Sequence, residues 1–318
     1  MKLSMPKKIV RWIVILVGFT LTLYVFLRII VYIQSPALTS VGSTFSYLGN
    51  SVHYVCQGEG EPVVFFETGF GSDSEETWSG VLSELPASFT SCYYDRLGYG
   101  GSDDVPTDFT TDNKSRLQEA LISHIANERQ VILVAHSYGG VIARRTMSRD
   151  QLNLHSVIFL GSAHENQHGL LRGKLEPIPS SAVTQAYANA IFGLSDIRNL
   201  FVDFESELSE RLANYYGSLR WAHVLSSYTS EKGFFTPLAS LNYDFGKLKL
   251  VVLTHDDQAY INNKRFYEIG PQWLQMQQSI ASLSDNAELI VAEGATHNIP
   301  GDRPDLIIQH ILQAVEGN

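Results

Sequence analysis

Five consecutive apolar residues, Val131 to Ala135, run directly into His136-Ser137-Tyr138-Gly139-Gly140 and then into a helical pattern from Val141 to Met147. A short run that is apolar at every position belongs to a strand covered on both faces. Such a strand needs helices on either side of its sheet, which points to a layered α/β architecture. Passing from strand to helix within one or two residues demands a tight turn. The positions two before and two after Ser137 must then be small, and Ala135 and Gly139 are.

The rest of the chain repeats this alternation. Ser43 to Leu48 and Ser51 to Cys56 alternate around Gly49-Asn50, which predicts a hairpin. Pro62 to Phe66, Phe89 to Tyr94, His155 to Leu160, Leu248 to Leu253 and Ala287 to Val291 read as further strands. Helices are expected over 112–127, where Leu117, Leu121 and Ile125 recur at fourfold spacing, over 264–284 and over 304–315. Between His164 and about Asp244 no buried strand is expected. Helix-like pieces over 181–192 and 205–220, rich in Tyr and Leu, predict a helical cap inserted between two strands.

The N-terminus is different in kind. From Trp12 to Leu27 there is no charged residue, and after Arg28 the apolar run resumes to Ile33. About 20 residues of helix cross a hydrocarbon core, so residues 9–33 read as a single membrane span. Lys2, Lys7, Lys8 and Arg11 precede the span, and no Lys or Arg follows between Arg28 and Arg96. The positive-inside rule puts the N-terminus in the cytoplasm and the body outside it. A cleaved signal peptide fits less well, because the apolar run is too long for one and no A-x-A site follows.

All five basic residues of this segment stand without an acid, so the body is more acidic than the formal net charge of -10 suggests. An acidic body repels phosphate backbones, which argues against nucleic acid as a partner. Cys56 and Cys92 are too few for a disulfide scaffold; two buried thiols are the expected state, with a bridge between them the alternative for a body outside the cytoplasm. No H-E-x-x-H, paired C-x-x-C or G-x-x-x-x-G-K occurs, so neither a metal nor another cofactor is expected.

A serine at a strand-turn-helix junction is held clear of the sheet, and the amide after it, at the helix start, can donate to an anion. That amide is Tyr138. Three stretches together resemble the α/β-hydrolase fold family: this turn, Glu67-Thr68-Gly69-Phe70-Gly71-Ser72 after an early strand, and Asp95 to Ser102 after the next. The likeness covers nearly everything after the N-terminal span.

The resemblance implies a mostly parallel α/β-hydrolase sheet with an inserted cap. The expected organisation is a stub and anchor over 1–36, a core over 37–163 and 246–318, and the cap over 164–245. It implies Ser137 as nucleophile, with the amides of Phe70 and Tyr138 as the oxyanion hole. His297, in Gly294-Ala295-Thr296-His297-Asn298 after the last strand, is the implied base. The acid should follow the penultimate strand, where Asp256 and Asp257 both stand; likeness to relatives ending in Gly-x-x-Asp favours Asp257, and Glu165 is a further alternative.

The expected activity is hydrolysis of carboxylic esters or lipid-like acyl substrates through a Ser-His-Asp triad, with no cofactor. Aminopeptidase, carbon–carbon bond hydrolase, cofactor-free haloperoxidase and a non-catalytic scaffold are the alternatives. Tyr187, Phe192, Leu194, Leu200, Phe201, Tyr215, Tyr216 and Trp221 of the cap are expected to suit an apolar acyl chain, and His164 and His168 to approach the substrate.

Overall fold

The computed structural model describes residues 6–34, 41–106, 109–171, 174, 178–199, 201–230 and 243–316. Its centre is one eight-stranded sheet. The strands are β1 (Ser43–Tyr47), β2 (Asn50–Gln57), β3 (Val63–Glu67), β4 (Thr90–Tyr94), β5 (Val131–His136), β6 (Leu154–Leu160), β7 (Lys249–His255) and β8 (Ala287–Ala292). They lie in the order β1-β2-β4-β3-β5-β6-β7-β8. Only β1 with β2 and β2 with β4 pair antiparallel. This is the mostly parallel α/β sheet that the strand and helix patterns predict, in the α/β-hydrolase arrangement that the resemblance implies.

The wholly apolar strands are buried on both faces, as their sequence requires. Phe65, Leu133 and Ala135 join one core, while Val64, Phe66, Ile132 and Val134 face the other. Neighbouring residues point to opposite sides of a strand, so two cores need every position filled with apolar side chains. Covering helices are α2 (Ser74–Leu82), α3 (Thr111–Ala126), α4 (Tyr138–Met147), α11 (Gly270–Ala281), α12 (Ile299–Asp302) and α13 (Pro304–Glu316).

Between β6 and β7 lie α5 (Gln167–Leu170), α6 (Ser180–Phe192), α7 (Leu194–Asn199), α8 (Glu207–Tyr216) and α9 (Leu219–Ser230). Leu200 lies outside the described residues. After β7 come a 3-10 turn over Asp257–Tyr260 and the short α10 (Lys264–Tyr267). The single helix expected over 264–284 is therefore two, because Pro271 in the first turn of α11 has no amide to continue a helix through it.

The first hairpin turns one residue earlier than expected. Leu48 and Gly49, both at positive φ, form the two-residue loop, and Tyr47 pairs with Asn50. Ahead of it, α1 (Lys7–Gln34) is long and apolar enough to cross a membrane, and none of its most apolar window is buried in the protein.

Cys56 and Cys92 are not free thiols. They are directly opposed on β2 and β4, and a disulfide joins them. The sequence could not show this, because strand pairing decides which residues face each other. The bond closes a loop of sequence separation 36, so replacing both cysteines by serine is expected to lower unfolding free energy by about 2–4 kcal/mol. Denaturant titration of the oxidised wild type against the variant measures it.

Candidate active site

Ser137 occupies the turn between β5 and α4 at φ 52, ψ -120, a conformation costly for any residue with a side chain. Its surroundings hold it there. The Ser137 amide donates to Leu160 O at 3.0 Å, and its carbonyl accepts from Gly140 at 3.0 Å and Ala163 at 2.9 Å. A Cβ on Gly139 would stand 2.7 Å from the Thr68 carbonyl oxygen, so only glycine fits this position.

His297 follows β8 and reaches back across the sheet edge, its Nε2 2.9 Å from Ser137 Oγ. Its backbone is fixed at both ends. The amide donates to Tyr260 Oη at 2.5 Å, and the carbonyl accepts from His136 Nε2 at 2.9 Å. The ring meets Trp273 edge-on at 5.3 Å. Desolvation, followed by the nearby His136 and His255 rings, pushes its pKa down to about 3. The imidazole is thus neutral at pH 7 and able to accept a proton.

Phe70 and Tyr138, whose amides are the expected oxyanion donors, both line the same cavity as Ser137. Tyr138 is the first residue of α4, where an amide has no acceptor within its own helix. The other amide belongs to a loop shaped by Arg96. This buried guanidinium donates to Thr68 O at 2.6 Å and Gly69 O at 2.5 Å. Carbonyl and amide of a trans peptide point in opposite directions, so pinning Gly69 O against Arg96 turns the Phe70 N–H away from it.

Arg96 is itself neutralised by Glu67 at 2.5 Å, and that carboxylate also accepts from Tyr94 Oη and Gln118 Nε2. From sequence alone, Asp95 to Ser102 and Glu67 to Ser72 are only stretches that carry the family resemblance, with no role assigned to Arg96 or Glu67. The available signal was the placement of an acid and a base just at or beyond the ends of two adjacent strands.

The carboxylates are placed differently from the expectation. Asp256 accepts from the amides of Gln258 at 2.9 Å and Gly294 at 3.1 Å. Asp257 Oδ1 lies 3.5 Å from His255 Nε2, at the outer limit of hydrogen-bond reach. Neither is hydrogen-bonded to His297 among the described residues. Glu165 is excluded by its own commitment to Arg144, with two charge-assisted contacts at 2.9 and 3.1 Å. His164 is held by Asn166 and Ser279, and the side chain of His168 lies outside the described part.

A sequence profile of the alpha/beta hydrolase family matches residues 63–310 of this chain, most of its length. The chain belongs to the alpha/beta hydrolase family. It is 22% identical over 252 residues to the uncharacterized protein YqjL of Bacillus subtilis, covering 79% of this chain and 82% of that protein. A cis-3-alkyl-4-alkyloxetan-2-one decarboxylase of Shewanella oneidensis is 28% identical over 121 residues, 36% of each chain. Among solved structures, Est816, an N-acyl homoserine lactone degrading enzyme, superposes with TM-score 0.59 at 18% identity, over 85% of this chain and 99% of its own.

In this alpha/beta hydrolase a cavity of about 190 Å³ opens beside Ser137 and His297. Its apolar wall is Phe70, Tyr228, Tyr260, Phe266, Ile269 and Trp273. Most of these come from the segment after β7 instead of from the insertion. The cap aromatics expected there are used otherwise. Trp221 packs 5.6 Å from Phe70, Tyr216 bonds Gly71 O, and Phe192, Leu194 and Phe201 face outward. Among the described residues no Asp, Glu, Lys or Arg lines the cavity, and no cluster suited to a metal ion occurs.

Proposed function

We propose that this chain is a serine hydrolase that cleaves neutral carboxylic esters, lactones or lipid-like acyl compounds. The observation that carries the reading is the 2.9 Å contact between Ser137 Oγ, on its strained turn, and the neutral imidazole of His297. Ser137 attacks the carbonyl while His297 takes its proton and then delivers it to the leaving alkoxide. The amides of Phe70 and Tyr138 receive the oxyanion, and water releases the acyl group by the reverse sequence.

Substrate charge follows from the cavity wall. An aminopeptidase must hold an ammonium group, which calls for a carboxylate, and an acidic substrate calls for a cation. A wall without either suits a neutral molecule. Two relatives, named for an alkyl oxetanone and an acyl homoserine lactone, agree with a cyclic or linear ester. Asp257 remains our choice of acid by its place after β7. Reaching the imidazole requires it to leave His255, and the kinetics of Asp257→Asn beside Asp256→Asn test the assignment.

The N-terminal helix is proposed as a retained anchor, with the catalytic body outside the cytoplasm. The basic residues before the span and the oxidised Cys56–Cys92 pair support that orientation.

Two measurements test the catalytic reading. A fluorophosphonate should modify wild-type protein at Ser137; a folded protein that stays unlabelled sinks the proposal. The pH profile is the second. His297 loses its function as base only when protonated, and its pKa is lowered from 6.5 to about 3. kcat/KM for an ester is therefore expected to hold from neutral pH down to about pH 4 and to fall towards pH 3. An acid limb centred near pH 6.5 would contradict it.

A further inference from the structure

Two residues that line the cavity carry polar atoms with no partner among the described residues. Trp273, 6% exposed, has no hydrogen-bond partner at Nε1, and His255, 5% exposed, has none at Nδ1, while its Nε2 faces Asp257 Oδ1 at 3.5 Å. Leaving such groups buried and unpaired is unfavourable, so a fold that retains them pairs them in another state. Both residues line the cavity that contains Ser137, and their ring centres are 5.4 Å apart. Trp273 also touches His297 edge-on, which places this polar station beside the reacting bond.

The donors and acceptors at the station define a complement. With the Nε2 proton turned to the Asp257 carboxylate, the neutral imidazole offers an acceptor at Nδ1, and the indole offers one donor. One acceptor and one donor match a hydroxyl group, which donates to the imidazole and accepts from the indole. A ketone leaves the acceptor idle. A carboxylate brings a charge that no lining cation meets, and an ammonium sets its donors against the indole N–H.

Building on the serine hydrolase reading above, we infer that the preferred substrates are neutral esters bearing a hydroxyl on the acyl chain, which His255 and Trp273 bind. Phe266 and Ile269, on the same wall, accommodate the adjoining apolar carbons. The hydroxyl selects the substrate and takes no part in bond cleavage.

The test uses full-length protein in detergent, ethyl hexanoate, and its 2-, 3- and 6-hydroxy analogues, with acid release followed by pH-stat. Wild type is expected to favour one hydroxylated ester over ethyl hexanoate by about 100-fold in kcat/KM. Sites that hydrogen-bond a substrate hydroxyl discriminate at least this strongly. In His255→Leu that ratio should collapse to within about threefold of unity, whatever the absolute rates. Trp273→Phe, which deletes only the N–H donor, should lower it about tenfold and serves if the first variant does not fold.

A wild-type ratio near one for all three analogues overturns the inference, as does a ratio that survives in both variants. A protein that labels with fluorophosphonate yet hydrolyses none of the esters also overturns it, leaving the hydrolase reading intact. Absence of labelling at Ser137 brings down that reading and this inference together.

Discussion

Ser137→Ala is expected to lower esterase activity by about 10⁴- to 10⁶-fold and to abolish fluorophosphonate labelling, with little change in thermal midpoint. The hydroxyl donates nothing that the fold requires, since the turn is held by backbone bonds to Leu160, Gly140 and Ala163. Under the proposed mechanism its loss removes the atom that becomes bonded to the acyl carbon, so the effect falls on kcat. The companion variant Ser137→Gly separates strain from chemistry. Glycine takes positive φ without penalty, so this variant should be equally inactive and more stable by about 1 kcal/mol. Equal activity of wild type and either variant would remove Ser137 from the mechanism.

The second large effect concerns stability. Glu165→Ala should lower unfolding free energy by about 3–5 kcal/mol, because it strands a guanidinium with no access to water. Arg144 and Glu165 are 0% and 1% exposed in their side chains. Arg144 donates to both carboxylate oxygens, to Ser162 Oγ at 2.7 Å and to Ala163 O at 2.6 Å. Removing both charges in Arg144→Met/Glu165→Leu should cost far less than the single change, since no buried ion is left alone. Denaturant midpoints of the three proteins decide it, and a single variant no worse than the double would refute the account. Because Ala163 N also caps the serine turn, Glu165→Ala should slow labelling of Ser137 as well.

The parts of this architecture that could be read in advance are those governed by local rules. Val131 to Ala135 is apolar at every position because its strand divides two cores, and Gly139 is glycine because Thr68 leaves no room for a Cβ. Both conditions appear in a short window of sequence. Ser137 and His297 are 160 residues apart, and their meeting follows from family likeness and strand order, not from any local signal.

What stayed hidden depends on cross-chain register or on side-chain direction. Cys56 faces Cys92 only through the pairing of β2 with β4. Asp256, Asp257 and Glu165 are three carboxylates near strand ends, and sequence cannot say which oxygens are already engaged. The apolar side chains of the cap were legible as such, but a helix rotated by one residue turns a pocket wall into outer surface, as for Phe192 and Leu194. Arg96 was overlooked because its value lies in two carbonyls that a one-dimensional reading does not bring near it.

The grip of α8 and α9 on the loops below them has a mechanical outcome. Tyr216 Oη donates to Gly71 O at 2.6 Å, Tyr215 Oη to Gly98 O at 3.1 Å and Arg220 to Gly100 O at 3.1 Å, while Tyr228 stacks on Phe70 at 3.9 Å. The insertion therefore acts as a keystone for the Phe70 loop as much as a roof over the substrate. Were it to swing aside as one piece, the strap holding that loop would come undone at the same moment. Under the proposed mechanism entry and turnover would then belong to separate moments of each cycle, and trimming the roof to admit bulkier molecules would be expected to disarm the catalyst instead of broadening it.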